Sequence, residues 1–100
     1  MRNLQTAETG GPWTDGHNEE PTVALRLFAA ARQAAGAGRA TFPGRTVGDV
    51  LAAASETYGP EFTAVLATSK VWLNGEPAEA SEAVADGDEV AVLPPVSGGV

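Results

Sequence analysis

Apolar and polar positions alternate in three segments of the chain: TVALRLFA (22–29), KVWL (70–73) and EVAVL (89–93). A period of two residues is typical of a strand with one buried face. The positions predicted to face inward are Val23, Leu25, Leu27, Val71, Leu73, Val90 and Val92. RATFP (39–43) predicts a further short strand that ends at its proline. Asn74-Gly75 predicts a tight hairpin turn with a short partner strand behind it, because both residues tolerate a positive φ.

Other segments have the longer apolar period of a helix. AARQAAG (30–36) predicts about two helical turns ending at Gly36. TVGDVLAAASETYG (46–59) predicts the main helix, with Thr46 as its N-cap, and PEFTAVLA (60–67) a short helix on the same core. SEAVADGD (81–88) predicts one more helical turn and a polar loop. This order of elements predicts an α+β fold, with a mixed sheet of about five strands and a helix packed on one face.

The first 21 residues show no such period. Glycines and prolines interrupt them, and only Leu4 and Trp13 are large and apolar. We therefore expect a disordered N-terminal arm over residues 1–21, a folded domain over 22–93 and a flexible C-terminal tail over 94–100.

Alternation also predicts a second, outward apolar surface. Phe28, Trp72 and Leu93 belong to separate strands and all lie on the side opposite the predicted core. An uncovered apolar patch is typical of a protein–protein interface. Two interpretations stay open: a partner protein binds this face, or the short second helix or the arm folds over it.

The charge and composition of the chain limit its partners. The formal net charge is −7 and the pI is about 4.4. Such a surface repels nucleic acid and anionic membranes, so we expect neither as a partner and favour a basic protein. The absence of cysteine excludes disulfides and thiolate chemistry. Without a membrane-spanning apolar run or a signal-peptide pattern, the sequence predicts a cytoplasmic protein.

Catalytic and metal-binding motifs are also absent from the sequence. The single histidine, His17, lies in the predicted arm, where one imidazole makes neither a metal site nor a triad. The arginines Arg26, Arg32, Arg39 and Arg45 are scattered along the chain and form no nucleic-acid stripe. We expect no bound metal or cofactor and no catalytic set within the chain.

The chain ends on PPVSGGV (94–100). Pro94 and Pro95 fix φ, which lowers the entropy cost of ordering the residues that leave the sheet. Gly98 and Gly99 have no Cβ, so a foreign backbone can approach them closely. These residues suit a tail that must thread a narrow channel and present its terminal carboxyl group to an enzyme; flexible tails in general also favour glycine.

From Thr22 onward the chain resembles the MoaD/ThiS group of ubiquitin-like sulfur carriers, and within that group the small subunits of molybdopterin synthase. The resemblance rests on LFAAARQAAG (27–36), TVGDVL (46–51), VWLNGEP (71–77) and DGDEVAVLPPVSGG (86–99). It implies the β-grasp fold. It also implies that a MoeB-like enzyme, related to ubiquitin activators, uses ATP to adenylate the terminal glycine, and that sulfur then replaces one oxygen to give a thiocarboxylate. A MoaE-like large subunit would take up this tail and use the sulfur to build the molybdopterin dithiolene. The chain would then be a non-catalytic subunit, with the active-site residues on the large subunit.

The family pattern assigns roles by position. Gly99 would carry the acyl-adenylate and then the thiocarboxylate, with Gly98 as its slender neighbour. The residues that enter the partner's channel ahead of the two glycines would be Pro94, Pro95, Val96 and Ser97. Phe28 and Leu93 fall where the family has partner-facing apolar residues, and Arg32 matches a position near the first helix where contact with the activating enzyme is expected. With Trp72, which strand alternation adds, these residues make up the predicted partner interface.

Val100 departs from the family, whose members normally end on the second glycine. A β-branched side chain at the reacting carboxyl is expected to clash with an activation site shaped for glycine. We expect a peptidase to remove Val100 before activation; the alternative is an activating enzyme that accepts valine.

Other functions stay open beside the molybdopterin role. The first alternative is a sulfur carrier for thiazole, a thio-amino acid or a secondary metabolite. The second is a ubiquitin-like modifier joined to lysines through Gly99, and the third is a binding module with an accidental tail.

Overall fold

The computed structural model describes residues 20–95 of the chain. In order, its elements are β1 (Thr22–Leu27), α1 (Ala29–Ala35), β2 (Arg39–Pro43), α2 (Val47–Tyr58), α3 (Pro60–Ala67), β3 (Lys70–Leu73), β4 (Glu76–Pro77) and β5 (Glu89–Leu93). Residues 1–19, which make up most of the predicted arm, and tail residues 96–100 lie outside this description. None of the helices in residues 20–95 is long and apolar enough to cross a membrane.

The strands form one mixed sheet in the order β2-β1-β5-β3-β4. β1 pairs in parallel with β5, and the other neighbouring strands are antiparallel. All three helices contribute buried residues to the core on one face of this sheet: Ala31 from α1, four residues of α2 and Phe62 from α3. The predicted α+β class and the five-stranded mixed sheet are confirmed.

The inward positions of the central strands are the ones that alternation predicts. Leu25 pairs with Val90 and Leu27 with Val92, across the parallel β1–β5 contact. Val23 and these four side chains are all at most 2% exposed. Because removing apolar surface from water is the main favourable term in folding, the burial of this central layer stabilises the domain.

Local sequence signals define where the helices begin and end. The Thr46 hydroxyl accepts a hydrogen bond of 3.1 Å from the Asp49 N–H and caps α2, as predicted. At the other end of α2, Tyr58 contacts the ring of buried Phe62 with a centroid distance of 5.2 Å. The Phe42 ring of β2 meets Tyr58 edge-on at 5.8 Å, so an aromatic cluster joins α2, α3 and the sheet.

The predicted hairpin joins β3 to the two-residue strand β4. Asn74 and Gly75 have φ values of 52° and 87°, which is the left-handed region that this turn requires. The Asn74 N–H donates to the Glu89 carbonyl at 2.8 Å, and the Asn74 side-chain oxygen accepts from the Glu89 N–H at 3.0 Å. The turn residue therefore also fixes the start of β5.

The predicted helical turn in residues 81–88 does not form; the segment consists of turns and one isolated bridge. Carbonyl groups in this segment and just before it accept hydrogen bonds from the start of α2 instead. The first N–H groups of α2, those of Val47 and Gly48, donate to the carbonyls of Glu82 and Ala80 at 2.9 and 2.8 Å. Because these N–H groups have no partner within their own helix, this pairing satisfies them and keeps the segment out of a helix.

Candidate functional site

The sheet face that points away from the helices, which we call the open face, crosses all five strands. Strand register places one outward row in the order Arg39, Arg26, Ala91, Trp72 and Pro77. The three helices pack on the opposite side. The row therefore has a basic end on β1 and β2 and an apolar end on β5, β3 and β4.

The three apolar residues predicted for partner binding all lie on the open face. Trp72 is 37% exposed and Phe28 is 38% exposed, while Leu93 is half-buried. Phe28 keeps an extended backbone and directly follows Leu27, whose strand partner Val92 directly precedes Leu93. Phe28 and Leu93 thus lie at the same end of the parallel pair. α3 does not cover this face, because its residue Phe62 lies in the core on the other side.

The tail leaves the sheet at that same end, which we call the tail exit. Leu93, Pro94 and Pro95 line a hollow of about 450 Å³ together with Thr68 and Lys70. Lys70 pairs with Leu93 across the β3–β5 contact. The sequence does not predict that Thr68 and Lys70 lie beside the two prolines, since only this strand pairing brings them there.

The remaining predicted tail residues are Val96, Ser97, Gly98, Gly99 and Val100. They lie outside the residues that the structure describes. Their predicted roles stay predictions, and what the structure adds is the place from which they depart.

Arg32 lies on α1 and not on the open face. Its side chain covers the connection between α1 and β2, where a Cβ added to Gly38 would come within 3.3 Å of the Arg32 Nε. The Gly38 carbonyl accepts from the Leu27 N–H at 2.9 Å. Because Leu27 ends β1, exposed Arg32 lies near the tail-exit end of the sheet, at the border between the helix layer and the open face.

Two arginines that appear scattered in the sequence meet on the open face. Arg26 and Arg39 are directly opposite each other in the antiparallel β1–β2 pair. Arg26 Nη1 donates to Glu89 Oε2 at 3.1 Å, and the Arg26 guanidinium lies 5.3 Å from the centre of the Phe28 ring. The sequence does not show this group, because the register of β1 against β2 depends on the path of α1 and the connection between them.

The described part of the chain offers no metal centre. No group of three or more His, Cys, Asp or Glu side chains in residues 20–95 could hold a metal ion. What these residues present is a surface with an apolar and a basic part, beside the point where the tail departs.

Comparison with known proteins agrees with this architecture. The profile of the ThiS family matches residues 25–99. The crystal structure of SAMP1 from Haloferax volcanii superposes with a TM-score of 0.71 and 35% sequence identity, over 78% of this chain and 99% of that chain. A putative molybdopterin converting factor subunit 1 from Pyrococcus furiosus gives a TM-score of 0.68 and 26% identity, over 76% of this chain and 99% of that chain.

A third structure shows the same fold in a complex. It is the protein–protein complex of subunits 1 and 2 of the molybdopterin-converting factor from Helicobacter pylori, with a TM-score of 0.61 and 22% identity over 78% of this chain and 99% of that chain. At this identity the likeness concerns the fold alone. Comparison with curated protein sequences found no significant match. The structural matches confirm the predicted β-grasp fold.

Proposed function

The chain belongs to the ThiS family of ubiquitin-like sulfur carriers, and we propose that within it the chain serves as the small subunit of a molybdopterin synthase. The observation that carries the proposal is the extent of the family match. It runs through PPVSGG to residue 99 and so includes the tail on which sulfur would travel. The likeness to a putative molybdopterin converting factor subunit 1 at 26% identity supports the molybdopterin branch.

The proposed chemistry takes place on the terminal carboxyl group. In the partner enzyme a carboxylate oxygen of Gly99 attacks the α-phosphorus of ATP, and pyrophosphate leaves. Sulfide (HS⁻) then attacks the acyl carbon, AMP leaves, and loss of the sulfur-bound proton gives the thiocarboxylate. A bare carboxylate is a poor electrophile and an acyl-adenylate a good one, so the activating enzyme supplies the reactivity. The carrier itself supplies only a terminus and a docking surface.

The positions of the tail exit and the open face support a carrier that supplies a terminus and a docking surface to one partner. Phe28, Leu93 and Pro94 lie at one end of the sheet, so a partner that covers the open face also meets the departing tail. Four residues lead from Pro95 to Gly99, and extended backbone spans at most about 14 Å over that length. We therefore expect the active site of the partner to lie within about 14 Å of the tail exit on the docked domain.

Val100 follows the family match, which ends at residue 99. We propose that a peptidase removes Val100, because the carboxyl group that the chemistry needs belongs to Gly99. An activating enzyme that accepts valine is the alternative.

The experiment that tests the proposal is the intact mass of the protein isolated from its own host, followed by complementation. We expect the loss of one valine residue and, in part of the material, the exchange of one oxygen for sulfur. The form ending at Gly99 should restore molybdopterin synthesis in a strain that lacks the small subunit. Retention of Val100 without added sulfur would contradict the proposed chemistry. Sulfur on Gly99 without complementation would point to thiazole, a thio-amino acid or a secondary metabolite instead.

A second candidate function is that of a protein modifier. The 35% identity to SAMP1 from Haloferax volcanii, which is described as a small archaeal modifier protein, favours it. In that case cell lysates should contain slowly migrating conjugates that disappear when Gly98 and Gly99 are deleted. Lys70 is the only lysine in the chain. Conjugates of the chain with itself through a lysine should therefore vanish in Lys70→Arg.

A further inference from the structure

We infer that the arginine pair Arg26–Arg39 on the open face binds a carboxylate of the protein that docks there. The inference rests on the proposed function, because it concerns the same docking event. It adds the chemistry of the partner surface, which we expect to carry an acidic side chain next to apolar side chains.

The charge of the open face is opposite to that of the whole chain. The chain has 13 acidic and 6 basic residues and a net charge of −7. The outward strand positions, however, carry three basic side chains and one acidic one: Arg26, Arg39, Lys70 and Glu89. Total charge favours a basic partner, but association depends on the potential of the surface that makes contact. The surface that meets this face is therefore expected to be acidic.

The geometry of the arginine pair is unfavourable in the isolated domain. Residues directly opposite each other in an antiparallel pair have their Cβ atoms about 4.5–5.5 Å apart, and like charges at this spacing repel. Glu89 pairs with Arg26 at 3.1 Å. Within residues 20–95 no carboxylate pairs with Arg39, which is exposed. One positive charge thus stays uncompensated beside a compensated one, and an added carboxylate would relieve the repulsion.

Arg26 is held in place for such a contact. Its guanidinium donates to Glu89 on one side and lies 5.3 Å from the centre of the Phe28 ring on the other, and these two contacts favour one position of the side chain. A side chain that is already ordered loses less conformational entropy on binding. Arginine also presents its donors in a planar fork that matches a carboxylate.

The apolar half of the face makes the contact stronger than an ordinary surface ion pair. Ala91 and Trp72 continue the same row as Arg26 on the neighbouring strands. A partner that covers these residues excludes water from the arginines beside them. Charge pairs that lose their water on association contribute more to affinity and selectivity than exposed pairs do.

A protein carboxylate fits this site better than a polyanion does. Nucleic acid would need a long basic stripe, whereas the open face offers one arginine pair on a chain of net charge −7. A single acidic side chain next to an apolar contact uses both halves of the row.

The test measures binding of the Gly99-ended chain to the molybdopterin synthase large subunit from the same organism, by isothermal titration calorimetry at low and high sodium chloride. Arg39→Glu should weaken binding about tenfold at low salt, and Arg39→Lys should retain most of the affinity. The wild-type affinity should fall as salt rises, and this dependence should become smaller in Arg39→Glu. The control is Arg45→Glu, which makes the same charge change at an exposed loop position between β2 and α2 and should bind like the wild type.

Thermal unfolding separates docking from a structural role. Arg39→Glu should be at least as stable as the wild type, because it removes a like-charge pair. Equal affinity of wild type and Arg39→Glu would overturn the inference and leave the proposed function intact. Equal weakening by Arg39→Glu and Arg45→Glu would also overturn it, since only total charge would then matter. No binding by the wild type would remove the molybdopterin proposal itself and this inference with it.

Discussion

Replacing Trp72 by aspartate should abolish docking while the domain stays folded. Trp72 lies at the centre of the apolar half of the open face, next to Ala91 and Pro77. Its neighbours within the chain already cover most of its side chain, and 37% is exposed. A partner that docks on this face gains binding free energy by covering the exposed part of the side chain.

The size of the effect follows from that fraction. A tryptophan side chain offers at most about 250 Å² of surface, so about 90 Å² is left for a partner to cover. At about 25 cal/mol per Å², covering it contributes about 2 kcal/mol, or about thirtyfold in the dissociation constant. Aspartate adds the cost of an unpaired charge in a dry contact, so we expect a loss of more than about a hundredfold.

The assay is calorimetric titration of Trp72→Asp and Leu93→Asp against the large subunit, with circular dichroism to verify the fold. The matched control is Leu66→Asp on α3, a partly buried residue that packs against the core. It introduces the same charge on the helix side, so it should lower stability without lowering affinity. If both open-face variants stay folded and bind like the wild type, the open face is not the docking site.

Three further predictions concern stability and activation. Thr46→Ala should destabilise the domain by about 1 kcal/mol and lower the melting midpoint by about 4–8 °C, because the Asp49 N–H loses its acceptor, whereas Thr46→Ser should keep the cap. An unchanged melting point in Thr46→Ala would refute the capping role. Phe62→Ala should cost about 3–5 kcal/mol, since the ring is fully buried, and a folded, wild-type-like melting curve would contradict this. The chain that ends at Gly99 should release pyrophosphate faster with the activating enzyme than the full chain does; equal rates would show that Val100 does not hinder activation.

Much of the fold can be predicted from the sequence because its causes are local. The alternation of Val23, Leu25 and Leu27 follows from the pleat of a single strand. The Asn74-Gly75 turn follows from the few residues that accept a positive φ, and both adopt it. The cap at Thr46 follows from a side chain that reaches an N–H three residues away. Each of these signals depends on residues only a few positions apart, so it does not require knowledge of how the rest of the chain folds.

The sequence alone also predicts that the tail is the chemical element of the protein. The ending PPVSGG carries the resemblance to sulfur carriers, and the family match extends through it to residue 99. The role predicted for the glycines rests on the absence of a side chain, which is a property of the residue type and needs no tertiary context.

The helical turn predicted in residues 81–88 shows where local reasoning fails. The carbonyls of Ala80 and Glu82 accept hydrogen bonds from the start of α2, more than 30 residues earlier in the chain. Gly44 also depends on packing, although over only six residues: a Cβ at this position would lie 2.8 Å from Val50 Cγ2, so the close approach of the first turn of α2 requires glycine there. Neither contact has a sequence period that predicts it.

Only the tertiary structure decided which side chains share the open face. Arg26 and Glu89 are 63 residues apart in the chain, yet the parallel β1–β5 pair brings them within 3.1 Å of each other. The same pair places Phe28 at the tail exit, and the β1–β2 register sets Arg39 opposite Arg26. Strand period determines the face to which a residue points, but strand order and register determine its neighbours. These depend on the packing of the whole core, because a shift of one residue would turn the apolar side chains away from it.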